Sequence, residues 1–454
     1  MKKAIRLFLV LLLLLPVTAC GKPQPAQIII TDPDSGEKEK ETLPDAGVTY
    51  AKEVVSLPAT ARDHWQIYQV NPKLYGSSGA FGKIEARLDQ IAALGADILY
   101  LMPVYAEGKE KAIGSPYCIR DFKGVNTSYG TLAELKSLVD AAHAKGMKVM
   151  FDWVANHTAW DHVWITEHPE WYEHKADGSI AWPTKDGEWK DVAQLDYGKK
   201  ELWAAMTDAL KYWVTELGID GYRCDYAHGV RDDYWKEAIG ELKTLKPGFL
   251  MLAESDFERM FDDGFDIIFD RAMKRRMITV FGGGAFSAFA QWYKDDQGKA
   301  PAPKSKLFFV TNHDDATTDT PGGQFKSVEG GLAAYVLMAA LNGSSMLYGC
   351  QEAGNNKTIN FFNTQNFNWD ANPALTARYQ EALQALSGLN RKGACTWYES
   401  GRVLFVHYEK GGLLAVNVSG QEVEASFPEP LAGKGGIPAS QKFGSYAFQI
   451  WKTE

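Results

Sequence analysis

From about residue 65 to residue 390, short apolar runs alternate with amphipathic stretches. The runs WQIYQVN, ADILYLMPV, KVMFDWVAN, GYRCD, FLMLAES, FDIIFD (265–270), LFFVTN and SSMLYG read as strands. Between and after them, 3.6-residue spacing predicts helices over 83–94, 131–146, 199–217, 232–244, 285–295, 329–342 and 373–389. The second of these opens with Thr131 and Glu134 and stops at Gly146, a capping box with a glycine stop. Eight such strands alternating with helices predict an α/β chain closed into a (β/α)8 barrel. The competing architecture is an open doubly wound sheet, but no phosphate-binding glycine fingerprint follows the first strand.

Three segments break the alternation. Residues 157–198 form an insertion after the third strand and hold Trp160, Trp164, Trp171, Trp182 and Trp189. Most of these indoles are expected to be the core of a small subdomain, with one or two free to face a ligand. Residues 393–454 change to strands alone (VLFVHYE, GLLAVNV, EVEASF, YAFQIW), which predicts an appended antiparallel β-sandwich. Residues 1–19 have a charged start (Lys2, Lys3, Arg6), a short apolar core and small residues before Cys20, as a secretory signal does. The ending Val17-Thr18-Ala19-Cys20 resembles a bacterial lipobox, which implies lipidation of Cys20. The expectation is an exported protein anchored to a bacterial membrane. Residues 20–60 are polar and proline-containing and read as a tether, whose root-mean-square span would be roughly 35 Å. The run Gln27–Thr31 is the exception and has the composition of an edge strand. The catalytic unit is accordingly placed at 61–392.

Net charge is −9, and aromatics make up 12% of the chain. An acidic chain lacks the basic footprint of a nucleic-acid binder, and so many aromatics argue for a packed globule. Beyond Cys20 there are four cysteines, Cys118, Cys224, Cys350 and Cys395. So few in a chain of this size read as buried thiols rather than staples.

Four segments carry the chemistry: FDWVANH, GYRCD, LMLAES and FVTNHDD. Each places ionisable residues at the C-terminal end of an apolar strand, the end that builds the site in a parallel barrel. Arg223 and Asp225 are two apart and so share one face of their strand. A carboxylate beside a guanidinium is expected to stay ionised, as a nucleophile must. Glu254 follows four apolar residues, where burial is expected to raise its pKa, as a general acid requires. Asp314 adds a third carboxylate beside His313. A single carboxylate at a strand end is usually a cap or a surface ion pair; four such segments in order are not explained that way. Carboxylates with histidines and an arginine, but no Ser-His relay or zinc spacing, suit glycoside hydrolysis.

These motifs resemble the α-amylase family of glycoside hydrolases, family 13. FDWVANH is similar to its first conserved segment, GYRCD to its second, Glu254 in LMLAES to its third and Asn312-His313-Asp314 to its fourth. The resemblance implies Asp225 as nucleophile, Glu254 as acid/base and Asp314 as transition-state stabiliser. It implies Tyr117, His157, Arg223 and His313 as sugar-binding residues, with Asp152 orienting Arg223. It further implies an α-glucan substrate, with hydrolysis of α-1,4 bonds, an α-glucosidase or transglycosylase as the variant activity, and glucan-uptake proteins as possible partners. A surface glucan-binding protein on a dead scaffold is the reading from another class, but such a protein should have lost Asp225 or Glu254. Departures from the family pattern are His228-Gly229, where Lys-His is common, and Gln194, where Asp is frequent. Of the family's calcium ligands only Asn156 is present, although Asp177, Asp186, Glu188 and Asp191 lie in the insertion. No cofactor is expected to be required.

Overall fold

A computed structural model of the chain describes residues 30–31 and 49–452. The signal segment and Cys20 lie outside the described residues. Eight parallel strands close into a barrel. In chain order they are β1 (Gln66–Val70), β2 (Ile98–Leu101), β3 (Lys148–Trp153), β4 (Gly221–Cys224), β5 (Leu250–Ala253), β6 (Ile267–Phe269), β7 (Ser305–Phe308) and β8 (Ser344–Tyr348). Each pairs with its sequence neighbour, and β8 pairs with β1.

Side chains alternate across these strands because the strand period is two. Ile67, Tyr100, Met150, Leu252, Ile267 and Leu307 fill the barrel interior as one buried cluster. Their neighbours Tyr68, Leu99, Val149, Met251, Ile268 and Phe308 belong to the larger core that includes the helices. Cys118, Cys224, Cys350 and Cys395 are all buried free thiols.

The helix Leu132–Ala144 has both hydrogen bonds of the expected capping box: Glu134 N–H donates to Thr131 Oγ1 (3.2 Å) and Thr131 N–H to Glu134 Oε2 (2.7 Å). Two helical segments differ from expectation. The stretch 83–94 is split into Ala80–Glu85 and Leu88–Ala93. Ile84, Leu88 and Ile91 remain buried across the break, so the apolar spacing is the same with or without it. After β6 there are two helices, Arg271–Phe281 and Phe286–Gln297, where one was expected. The first was hidden by its basic run, although Met273, Met277 and Val280 keep helical spacing and are buried.

The C-terminal sheet corrects the tether. It has six strands in the order Ile30–Thr31, Phe448–Trp451, Gly412–Asn417, Val403–Tyr408, Cys395–Ser400 and Lys52–Leu57. Both outer strands come from residues 20–60: Ile30–Thr31 falls in the run with edge-strand composition, whereas Lys52–Leu57 falls in the part expected to be spacer. Lys52–Leu57 pairs antiparallel with Cys395–Ser400, and Ile30–Thr31 pairs parallel with Ile450–Trp451. An unpaired sheet edge is a liability that a neighbouring segment can cover, and KEVVSL supplies adjacent β-branched residues for it. One sheet face (Leu404, Val406, Leu414, Val416) joins the barrel's outer core. The other (Val403, Phe405, Leu413, Ala415) packs with Phe427 and Phe443 at the antiparallel pair Val423–Ser426 and Ser440–Phe443. The domain is therefore a lopsided sandwich.

Candidate active site

At the C-terminal end of the barrel, strand register sets the first layer of the site. Arg223 on β4 lies opposite Asp152 on β3 and Leu252 on β5. Both polar side chains point inward and are fully shielded from water. Arg223 Nη1 donates to Asp152 Oδ1 at 2.7 Å and to Asp225 Oδ1 at 3.0 Å, while Nη2 is 2.9 Å from Glu254 Oε2. Burial works against the guanidinium's charge, but Asp152 and Glu254 outweigh it and keep the group ionised. Asp152 also accepts hydrogen bonds from the Tyr100 and Tyr117 hydroxyls. One carboxylate thus fixes three side chains.

The second layer comes from loops. Tyr117, in the long connection after β2, stacks on His313 with ring centroids 5.3 Å apart. The Gln69 amide donates to His313 Nδ1 (2.9 Å), so Nε2 carries the hydrogen and faces the Tyr117 oxygen at 2.7 Å. His157 Nε2 donates to the Tyr117 carbonyl at 3.2 Å. Burial holds both rings neutral: the His157 pKa falls to about 4, and that of His313 falls well below the usual range, with Arg223 adding to the effect. The two histidines are therefore hydrogen-bonding groups here, not charges.

Of the residues nominated for catalysis and sugar binding, Tyr117, His157, Asp225, Glu254, His313 and Asp314 line one cleft of about 360 Å3, and Arg223 and Asp152 form its support. The pKa order of the two central carboxyls reverses the expectation. Asp225 is pushed well above the usual range by burial; Arg223 opposes this but is outweighed with the help of Glu254, Asp152 and Asp314. For Glu254, burial alone would raise the pKa, but Arg223, Arg271 and the Tyr226 N–H pull it down. Tyr226 N–H donates to Oε2 at 2.9 Å and Arg271 Nη2 to Oε1 at 2.7 Å. The Asp225 and Glu254 carboxyls meet on one guanidinium, each within 3.0 Å of an Arg223 nitrogen. Asp314 is raised to about 7 by burial and by Glu254.

Several residues of the site were not nominated from sequence. Arg271 follows β6, where only a strand end was visible. Gln69 is inward on β1 and could have been found from strand alternation. Tyr226 has a left-handed backbone (φ 44°), donates its hydroxyl to Asp186 of the insertion and meets Trp189 edge-on at 5.2 Å. Trp189 is the insertion indole that lines the cleft, whereas Trp171 is buried. Phe361 and Phe362, in the loop after β8, complete the wall. The candidate cation ligand Asn156 has the wrong surroundings. Gln194 Nε2 donates to its backbone oxygen (2.9 Å) and is 3.3 Å from its side-chain oxygen. The two amides bond to each other, Asn156 Nδ2 donating to Gln194 Oε1 at 3.4 Å, and among the described residues no cluster of three or more His, Cys, Asp or Glu side chains adds the carboxylates that calcium takes.

An eight-stranded parallel barrel with three carboxyls, a buried arginine and two neutral histidines at its C-terminal end defines the class of the glycoside hydrolase barrels. Residues 60–247 match the family described as alpha-amylase, catalytic domain. Over these residues, about two fifths of the chain, it is similar to the α-amylase family. It is 29% identical over 334 residues to the α-amylase MalA of Haloarcula japonica, covering 69% of this chain and 48% of that protein. It is 33% identical over 229 residues to an α-1,4-glucan:maltose-1-phosphate maltosyltransferase of Rhodospirillum rubrum, covering 44% of this chain and 32% of that one. The chain thus spans about half and about a third of these relatives' lengths. The solved structure of an α-amylase from Lactobacillus plantarum superposes with a TM-score of 0.71 at 27% identity, covering 85% of this chain and 98% of that one.

Proposed function

We propose that this protein is a retaining α-glucan hydrolase that cuts α-1,4 bonds of starch or maltooligosaccharides by double displacement, with endo action. The observation that carries the reading is that the Asp225 and Glu254 carboxyls both pair with one buried guanidinium, at 3.0 and 2.9 Å, which keeps them close together. Retaining enzymes hold their two carboxyls about 5–5.5 Å apart, too close for an intervening water. Asp225 attacks the anomeric carbon while Glu254 protonates the leaving oxygen; Glu254 then takes a proton from the water that releases the sugar. Asp314, His157, His313 and Arg223 bind the sugar hydroxyls, and Tyr117 offers its ring face.

Replacing Asp225 with Asn tests the reading. An amide cannot form the glycosyl ester, so turnover of soluble starch should vanish in a folded protein. Undiminished turnover would refute it. A second reading, transfer to an acceptor sugar, is favoured by Trp189 and Tyr226 on the cleft wall, since aromatic faces suit sugar rings. A relative named a maltosyltransferase agrees with it. Longer products than the substrate, formed from maltotriose, would distinguish transfer from hydrolysis. The proposed location is outside the cytoplasm, anchored through lipidated Cys20, beside proteins that take up the released sugars.

A further inference from the structure

Arg271 is the first residue of the helix Arg271–Phe281, whose first turn also holds Lys274 and contains no acid. Cations at a helix N-terminus oppose the helix dipole, so the helix itself gains nothing from them. Their partners lie across the loops. Arg271 Nη2 donates to Glu254 Oε1 at 2.7 Å, Nη1 is 3.6 Å from Asp256 Oδ1, and Lys274 pairs with Asp315. The Arg271 guanidinium is 5.1 Å from the Phe269 ring centroid, and that of Arg223 is 5.8 Å from it. Arg223 is wholly buried, but the Arg271 side chain is 34% exposed. One of the two cations on Glu254 is therefore fixed and the other has room to move.

With Oε2 held by Tyr226 N–H and Arg223, and Oε1 by Arg271, neither oxygen of Glu254 is free. A general acid must present an O–H to the glycosidic oxygen. We propose that Arg271 is a positioning residue that holds Glu254 as the anion in the empty site and leaves Oε1 when a glycosidic oxygen arrives, so that substrate binding arms the acid. This rests on the reading of Glu254 as acid/base. The groups facing Glu254 are Arg223 on β4, Asp225 and His228 after it, Arg271 after β6 and Asp314 after β7, with Asp152 behind Arg223. Asp256 and Asp314 face Arg271 as well.

In the proposed resting state Arg271 keeps Glu254 anionic and the proton sits on Asp225, which burial holds above the usual carboxylate range. When Arg271 leaves, the proton passes to Glu254 and Asp225 becomes the anion. An Asp225 oxygen then bonds to the anomeric carbon as the glycosidic bond breaks; the electron pair of that bond goes to the leaving oxygen, which takes the proton from Glu254. No outside proton or co-reactant enters the step.

The test is the pH profile of kcat/KM on a maltooligosaccharide for wild type, Arg271→Lys and Arg271→Gln, repeated with α-maltosyl fluoride, whose leaving group needs no proton. Removing an opposite charge in contact with a carboxyl raises its pKa, so the alkaline limb of Arg271→Gln should move up by about one pH unit, while Arg271→Lys stays near wild type. A folded Arg271→Gln protein with an unmoved alkaline limb overturns the proposal. On the fluoride the alkaline limb of wild type should vanish; its persistence there would instead overturn the role of Glu254. Should Arg271→Gln not fold, carboxyl NMR titration of Glu254 in wild type, with and without a sulfur-linked maltooligosaccharide, gives the same answer. A pKa that rises on binding supports the proposal, and an unchanged one overturns it.

Discussion

Asp152 and Arg223 are paired across neighbouring barrel strands, with Nη1 2.7 Å from Oδ1 and both side chains wholly shielded from water. Two further charged contacts of the site are built on this pair, because Arg223 also touches Asp225 and Glu254.

Removing Asp152 should therefore damage both the fold and the site. Breaking one partner of a buried ion pair leaves an uncompensated charge and costs about 3–5 kcal/mol. Asp152→Ala should lose that much in urea denaturation and also lose the Tyr117 and Tyr100 hydrogen bonds. A variant as stable as wild type would show that Asp152 does not hold Arg223 in place.

Asp314 makes an opposite prediction. Its pKa is pushed up from the ordinary 3.8 towards about 7, an effect that solvent around its half-exposed side chain partly screens. Between those values the folded chain holds a proton that the unfolded chain has released. Stability from this group is thus full below the unfolded value and declines as pH rises towards about 7. Asp314→Asn removes the decline, so its Tm should exceed that of wild type at about pH 8 and match it near pH 4, while activity falls. A Tm difference independent of pH would contradict the burial and like-charge cause.

Chelation gives a third prediction. Because the Gln194 amide donates to Asn156, EDTA should leave activity and Tm unchanged. Loss of a tightly bound native ion would lower Tm by several degrees. A drop restored by added calcium would mean that the oxygens around Asn156 bind the ion after rearrangement.

The parts of the molecule legible in the sequence are those governed by local periodicity. Arg223 and Asp225 share a strand face because they are two residues apart, and the capping box at Thr131 needs only a spacing of three. Other features depend on contacts that no local pattern records. Lys52–Leu57 reads as spacer until its partner Cys395–Ser400, more than 300 residues away, is in place. Arg271 belongs to the site only because the end of β6 lies beside Glu254. The reversed pKa order follows from burial and the carboxylates around Asp225, and from Arg223 with Arg271 on Glu254, so inspecting either strand end alone gave the wrong direction.

Proton NMR of the first sugar released from a maltooligosaccharide, recorded before mutarotation, tests the double displacement most directly. With Asp225 and Glu254 both held on the Arg223 guanidinium, the carboxyls have the close spacing of a retaining pair, and two inversions return the starting configuration. The α-anomer should appear first and convert slowly to the β-anomer. Initial appearance of the β-anomer would mean direct attack by water, and would contradict the role assigned to Asp225.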